Sequence, residues 1–465
     1  MKNIKPISDV PVYELIHSQK MVQYMWKYTI HMQTTQIPFS ISFDEELDFR
    51  ILARAVNIEI ERNDCLRLRI FKQKGKIYQY FLPEYKLEKI LVKTFDTKQE
   101  LEEYFNSVSK KKLDVWAGDT FRIIFFKYEG NKYGVYAMAS HMIMDAAAVF
   151  MFFNDLIAVY DSLKNKEPLP RPLAKYEDII KKELADEHLE ENIAAQKQVL
   201  ADLLKGDKPP MFCGINGTKM LDRERKIRRN PELGAPSAYF PLADKSDCKK
   251  CHISKQDSQI IKQYADENKM SPEWLIQAGL RIYLSKINRN VCDTYLWVLC
   301  ARRRTVKEKR CGGTLASPMP WREQLPPDMT FRQAVDKIAE SQSLLFRNCD
   351  VPFTDIRDNE EKLFGYNIMQ TSNSMMFSFL PGLEGFFNGR EYEFIGFSMG
   401  YYCMPVYILT LYDKKNGVFK FNFIHRTSVY KSDEIESFSE GVAKTILEGV
   451  RNPDSTIKEI TENLK

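Results

Sequence analysis

Residues 133–160 read Tyr133-Gly134-Val135-Tyr136-Ala137-Met138-Ala139-Ser140-His141-Met142-Ile143-Met144-Asp145-Ala146-Ala147-Ala148-Val149-Phe150-Met151-Phe152-Phe153-Asn154-Asp155-Leu156-Ile157-Ala158-Val159-Tyr160. The first eight residues are aromatic and apolar, long enough for a strand and short for a helix. The run after Asp145 has no Gly or Pro and opens on three alanines, which predicts a largely buried helix. Asp145 is placed to cap its first turn. The pattern is strand, short turn carrying His141, acid, buried helix. A neutral imidazole at such a turn can take a proton from an amine, hydroxyl or thiol as that group attacks a carbonyl. The alternative is a core histidine with both ring nitrogens satisfied.

The composition is that of a globular protein: 465 residues, 44% apolar and 28% charged. The length predicts two or three domains or lobes. A net charge of +5, from 68 basic and 63 acidic side chains, argues neither for a nucleic-acid binder nor for an acidic substrate, and no nucleic-acid partner is expected. Residues 1–6 lead into no signal-type apolar run, and no uninterrupted apolar stretch approaches the ~18 residues of a membrane span. Nine scattered cysteines read as reduced thiols, so a cytoplasmic location is expected. Cys248-Lys249-Lys250-Cys251-His252 spells a haem-attachment pattern, but without an export signal or a second metal-ligand pair we read it as coincidence. No metal is expected.

Outward from the histidine stretch, residues 11–31 have helical spacing and Ile37 to Phe43 reads as a strand. A helix follows Asp44, with Leu47, Ile51, Ala55 and Ile58 on one face. Leu68 to Phe71 and Ile77 to Leu82 read as a hairpin about Lys74-Gly75-Lys76, and Phe121 to Tyr128 as a strand. Three prolines between Asn165 and Pro172 suggest a boundary. Tyr176 to Leu204 reads as one long charged helix, and residues 205–240 as an irregular connection. The second half holds helices at Ser254–Asn268, Pro272–Ile287, Phe331–Phe346 and Ser432–Val450. Its strands are Thr294–Ala301, 375–380, Val406–Tyr412 and Phe419–His425, the last two joined by an Asn416-Gly417 hairpin signal. Arg302-Arg303-Arg304 and Lys307 to Arg310 read as solvated turns. Both halves mix helices with mostly antiparallel strands, which makes the class α+β, with lobes at residues 1–175 and 251–465 joined by a crossover helix and linker at 176–250.

Several motifs, in order, resemble those of the condensation domains of nonribosomal peptide synthetases, within the superfamily of CoA- and carrier-protein-dependent acyltransferases. Ser140-His141-Met142-Ile143-Met144-Asp145-Ala146 is similar to that family's His-His-x-x-x-Asp-Gly, with Ser140 for the first His and Ala146 for the Gly. Ser18-Gln19 with Trp26, Glu61 to Arg67, Tyr176-Glu177-Asp178, Gly312-Gly313-Thr314 through Arg322, Asp350-Val351-Pro352-Phe353 and Val406 to Leu411 resemble its other motifs.

The resemblance implies two lobes like chloramphenicol acetyltransferase, each a mixed sheet with helices, forming a V with a central tunnel and His141 at its floor. It implies a free-standing acyltransferase for natural-product biosynthesis, moving an acyl or peptidyl group from a phosphopantetheine thioester to an amine or hydroxyl. The donor is carried by an acyl or peptidyl carrier protein in trans, or by CoA; no permanent cofactor is implied, and a monomer is expected. His141 is the implied base or proton-positioning group. Asp145 is implied to form a structural ion pair with an arginine, for which Arg62 is the candidate, with Arg67 and Arg322 behind it. Ser140 and Ala146 are implied as supports of the turn. The competing reading is a degenerate condensation-like protein that binds a carrier or partner enzyme without chemistry.

Overall fold

The computed structural model describes residues 9–237, 244–366, 370–380 and 386–464. They form two compact units that do not follow consecutive residues. The first holds Met1–Glu191, Ala301–Ala316 and Gly385–Tyr401; the second holds Asn192–Cys300, Ser317–Glu384 and Tyr402–Lys465. Each is a mixed sheet with helices, so the class is α+β.

The sheet of the first unit has five strands in the order Glu393–Gly396, Gln36–Phe43, Lys132–Ser140, Phe121–Tyr128, Leu91–Phe95. The first four run antiparallel to their neighbours and the last pairs in parallel. A smaller sheet sets Lys76–Phe81 between Val12–Glu14 and Leu68–Gln73. Two helices, Phe49–Arg62 and Ala146–Asn165, pack against each other. The Asp48 carboxylate starts the former by accepting from the backbone N–H groups of Arg50 and Ile51. Its buried face is Leu52, Ala55, Val56, Glu59 and Ile60. The latter is long and apolar enough to cross a membrane, the one such helix among the described residues. Here it is a core helix, with Val149, Phe152, Phe153, Leu156 and Tyr160 buried.

The second unit is built on six strands in the order Ser317–Gln324, Asp293–Cys300, Met376–Leu380, Val406–Asp413, Val418–Arg426, Ser246–His252. The Asn416-Gly417 signal makes the expected hairpin, with Val406 opposite His425 and Asp413 opposite Val418. Gly417 takes the left-handed backbone (φ +67°) that such a turn requires. Helices Pro272–Ile287, Phe331–Arg347 and Ser432–Arg451 bury Leu275, Ile276, Val335, Ile338, Val442 and Ile446 in one core with Trp297 and Trp321 of the sheet.

Three features depart from the sequence reading. Most strand pairings are antiparallel as expected, but Met376–Leu380 runs parallel to both neighbours, because the chain returns to the sheet through long excursions. The segment Tyr176 to Leu204 is two helices, Tyr176–Leu184 and Leu189–Leu204. Between them the Asp186 carboxylate accepts from His188 N–H, a local bond that competes with helix continuation. Residues 205–240 contain a helix, Lys219–Arg228, whose charged composition conceals it from a search for apolar periodicity.

Candidate functional site: the histidine turn

Strand Lys132–Ser140 delivers the chain to His141, and helix Ala146–Asn165 takes it away. Antiparallel pairing extends one residue past the strand: His141 N–H donates to Thr35 C=O at 2.7 Å. Ser140 then closes the turn twice. Its carbonyl accepts from Ile143 and Met144 N–H, at 2.9 and 3.2 Å. Its hydroxyl oxygen accepts from Met142 N–H at 3.2 Å. Ser140 is 2% exposed, so its hydroxyl is a structural tie within the turn. Gln19 Nε2 donates to Met142 C=O at 3.2 Å from the first helix, and Gln79 Nε2 donates to Gln19 Oε1 at 2.8 Å. The Met142, Ile143 and Met144 side chains are buried and anchor the turn from below.

Asp145 is the hub. One carboxylate oxygen accepts from Ala148 N–H at 2.8 Å, capping the helix, and from Arg303 Nη2 at 2.9 Å. The other accepts from Leu315 and Ala316 N–H at 2.9 and 3.0 Å. Burial by itself would raise this carboxyl. The Arg303 charge and the three peptide N–H groups outweigh it and hold the Asp145 pKa below the usual range. Arg303 is held in turn: Nη1 donates to Glu308 and Cys311 C=O, both at 2.7 Å, and Nη2 to Gly313 C=O at 3.0 Å. Its side chain is 7% exposed.

The partner of Asp145 is therefore Arg303, not Arg62, Arg67 or Arg322. Arg62 pairs with Asp155 at 2.9 Å and donates to Pro170 and Arg171 C=O. Arg67 donates to Ile60, Leu82 and Pro83 C=O. Arg322 lies in the second unit, bonded to Asp293, Leu204 C=O and Lys208 C=O. Reading Arg302-Arg303-Arg304 as solvated fails for its first two members. The Arg302 side chain is also largely covered, donating to Ser18 Oγ at 3.0 Å and facing Glu183 at 3.5 Å. The only signal for this in the sequence is that a charged run directly follows a strand and precedes Gly312-Gly313. A charged run on its own does not distinguish a staple from a surface turn.

The strap Ala301–Ala316 lies close against the turn. The Thr314 hydroxyl donates to His141 C=O. A Cβ on Gly312 would sit 2.1 Å from Asn63 Oδ1, and one on Gly313 2.1 Å from the Tyr176 ring. Gly313 also has φ +83°, so the residue type is required twice over. Tyr176 O–H donates to Thr314 C=O at 2.9 Å, and both Asp64 carboxylate oxygens accept from the N–H groups that open the Tyr176 helix. Ala146 is the first helical residue and has ordinary negative φ, so its methyl group is accommodated without backbone strain.

These bonds hold the backbone around His141, and none of them is made by its ring. The residue keeps partial exposure, while Nδ1 is buried with no group in hydrogen-bond geometry among the described residues. Burial pushes the imidazole pKa below its ordinary value; the Asp145 charge and the residue's own carbonyl oppose this with less effect. The ring is neutral at pH 7 and can accept a proton. Among the described residues no group of His, Cys, Asp and Glu could hold a metal ion.

Residues 11–202 match the family model described as the condensation domain. The chain is 21% identical to surfactin synthase subunit 1 of Bacillus subtilis (strain 168) over 475 residues, covering 97% of this chain and 12% of that protein. It is 22% identical to a dimodular nonribosomal peptide synthase of the same organism over 325 residues, covering 69% of this chain and 13% of that protein. The chain thus spans under a fifth of the length of these relatives. Its fold matches the first condensation domain of the calcium-dependent antibiotic synthetase with a TM-score of 0.77 at 15% identity, covering 97% of this chain and 98% of that one. The condensation domain of the monacolin K polyketide synthase matches with a TM-score of 0.78 at 14% identity, covering 96% and 99%. The chain thus resembles condensation domains in its matched N-terminal part, and it shares their fold over nearly its whole length.

Proposed function

We propose that this protein is an active acyltransferase of the condensation type. It moves an acyl or peptidyl group from a phosphopantetheine thioester to an amine or hydroxyl acceptor. The acceptor atom attacks the thioester carbonyl carbon while His141 takes or positions its proton. The tetrahedral intermediate then collapses with breakage of the C–S bond, and the phosphopantetheine sulfur leaves and receives the proton. A base so placed contributes on the order of 100- to 10,000-fold, and holding both reactants together contributes further.

The observation that carries this reading is the contrast between His141's backbone and its ring. A histidine kept only for structure would have its ring nitrogens satisfied, since a buried unpaired polar atom costs about 1–3 kcal/mol. Here the turn is tied by Thr35, Ser140, Gln19, Asp145 and Thr314, while buried Nδ1 has no partner among the described residues. Of the departures from the family motif, Ser140 ties the turn and Ala146 is accommodated without backbone strain.

A carrier protein loaded through phosphopantetheine is the proposed donor, with acyl-CoA as the alternative. A starter condensation domain of rhizomide synthetase, similar in fold with a TM-score of 0.77, is described in complex with C8-CoA. The test is product formation from acyl carrier protein or acyl-CoA and a panel of amines and alcohols, with wild type beside His141→Ala. A loss of 100-fold or more in the variant supports the assignment. Equal turnover, or carrier binding without turnover in either protein, overturns it in favour of a non-catalytic role.

A further inference from the structure

None of the nine cysteines is in a disulfide, and two of them stand out by geometry. Cys300 ends strand Asp293–Cys300, and Cys349 lies two residues beyond helix Phe331–Arg347. Their sulfurs are 2.8 Å apart, and the Cys349 thiol also contacts Phe346 C=O at 3.1 Å. A disulfide has S–S of about 2.05 Å, so bond formation asks for less than about 1 Å of approach. The other dithiol suggested by the sequence, Cys248 with Cys251, lacks this geometry. Those residues lie three apart on one strand, opposite Ile424 and Phe421, and so point to opposite faces.

We propose that Cys300 and Cys349 are a redox-active pair that closes reversibly to an intramolecular disulfide, with hydrogen peroxide as oxidant. Cys300 retains 6% residue exposure and Cys349 none, so Cys300 is assigned the first encounter with peroxide. The Cys300 sulfur attacks one peroxide oxygen, giving a sulfenic acid and one water. The Cys349 sulfur then displaces the sulfenic hydroxyl as a second water and loses its proton. The sum is two thiols and one peroxide to one disulfide and two waters. The bond would tie a central strand of the second unit to the segment Asp350-Val351-Pro352-Phe353, which already anchors through Asp350 N–H to Gln196 Oε1 at 2.9 Å. It would close a loop between residues 49 apart in sequence, so the oxidised form would melt at a higher temperature.

The experiment treats the full chain with hydrogen peroxide, quenches, denatures and alkylates without reductant, then maps peptides by mass spectrometry. The expected result is a fall from nine alkylatable thiols to seven, with the Cys300 and Cys349 peptides joined and released by dithiothreitol. Cys349→Ser should leave Cys300 as a sulfenic acid trapped by dimedone, and both Cys349→Ser and Cys300→Ser should lose the rise in melting temperature on oxidation. Nine thiols remaining in oxidised wild type, a cross-link through other cysteines, or Cys300 over-oxidised with Cys349 intact would each overturn the proposal. The wild-type peptide map decides even if one variant fails to fold.

Discussion

Arg303 Nη2 lies 2.9 Å from Asp145 Oδ1, with the two side chains 7% and 1% exposed. This ion pair joins the strap to the histidine turn inside the first unit. Removing one partner leaves the other charge buried and uncompensated, which typically costs about 3–5 kcal/mol. Asp145→Asn and Arg303→Met should each lower the unfolding free energy measured in urea by an amount in that range, and lower the yield of folded protein. A stable, inactive Asp145→Asn would show that the carboxylate acts in the chemistry instead.

The same pair sets an acid limb of stability. The folded Asp145 pKa is held below its unfolded value, near 3.9. Its contribution is therefore fully present above about pH 3.9 and is lost as pH falls through the lower folded value. Denaturation midpoints measured from pH 7 downward should show this loss in wild type and a flatter profile in Asp145→Asn.

His141 has the opposite charge type and the same sign of shift. Burial lowers its folded pKa below the unfolded value of about 6.5. The unfolded chain gains a proton first, so stability declines as pH falls from about 6.5 to the folded value and not above it. If the neutral ring is the working form, the rate should stay level through pH 7 and fall only below about pH 6.5. A pH–rate profile checks this, and the His141→Ala profile should lack the step.

Ser140→Ala removes the bond to Met142 N–H at 3.2 Å and leaves the carbonyl ties of the turn in place. The expected cost is about 1 kcal/mol of stability, with turnover within about tenfold of wild type. Loss of all turnover would make Ser140 a participant.

Gly313→Ala brings a methyl group 2.1 Å from the Tyr176 ring at a backbone φ of +83°. Strain and overpacking together should cost about 2–5 kcal/mol. Tyr176→Phe, which loses only its bond to Thr314 C=O, should cost about 1 kcal/mol. Thermal midpoints of the two variants should differ in that order.

What the amino-acid order determined is local and periodic. It was enough for the strand to Ser140, the cap at Asp145, the buried helix after it and the Asn416-Gly417 hairpin, because each depends on neighbours a few residues apart. It also carried the resemblance to condensation domains, since the motifs keep their order along the chain. What only the tertiary structure decided is which distant groups meet. Arg303 reaches Asp145 across 158 positions of sequence because the strap Ala301–Ala316 returns to the first unit, and glycines at 312 and 313 let it lie against Asn63 and Tyr176. A guanidinium reads as solvated wherever it stands in a charged run. Only a fold that buries it beside a carboxylate and the carbonyls of Glu308, Cys311 and Gly313 turns it into a staple.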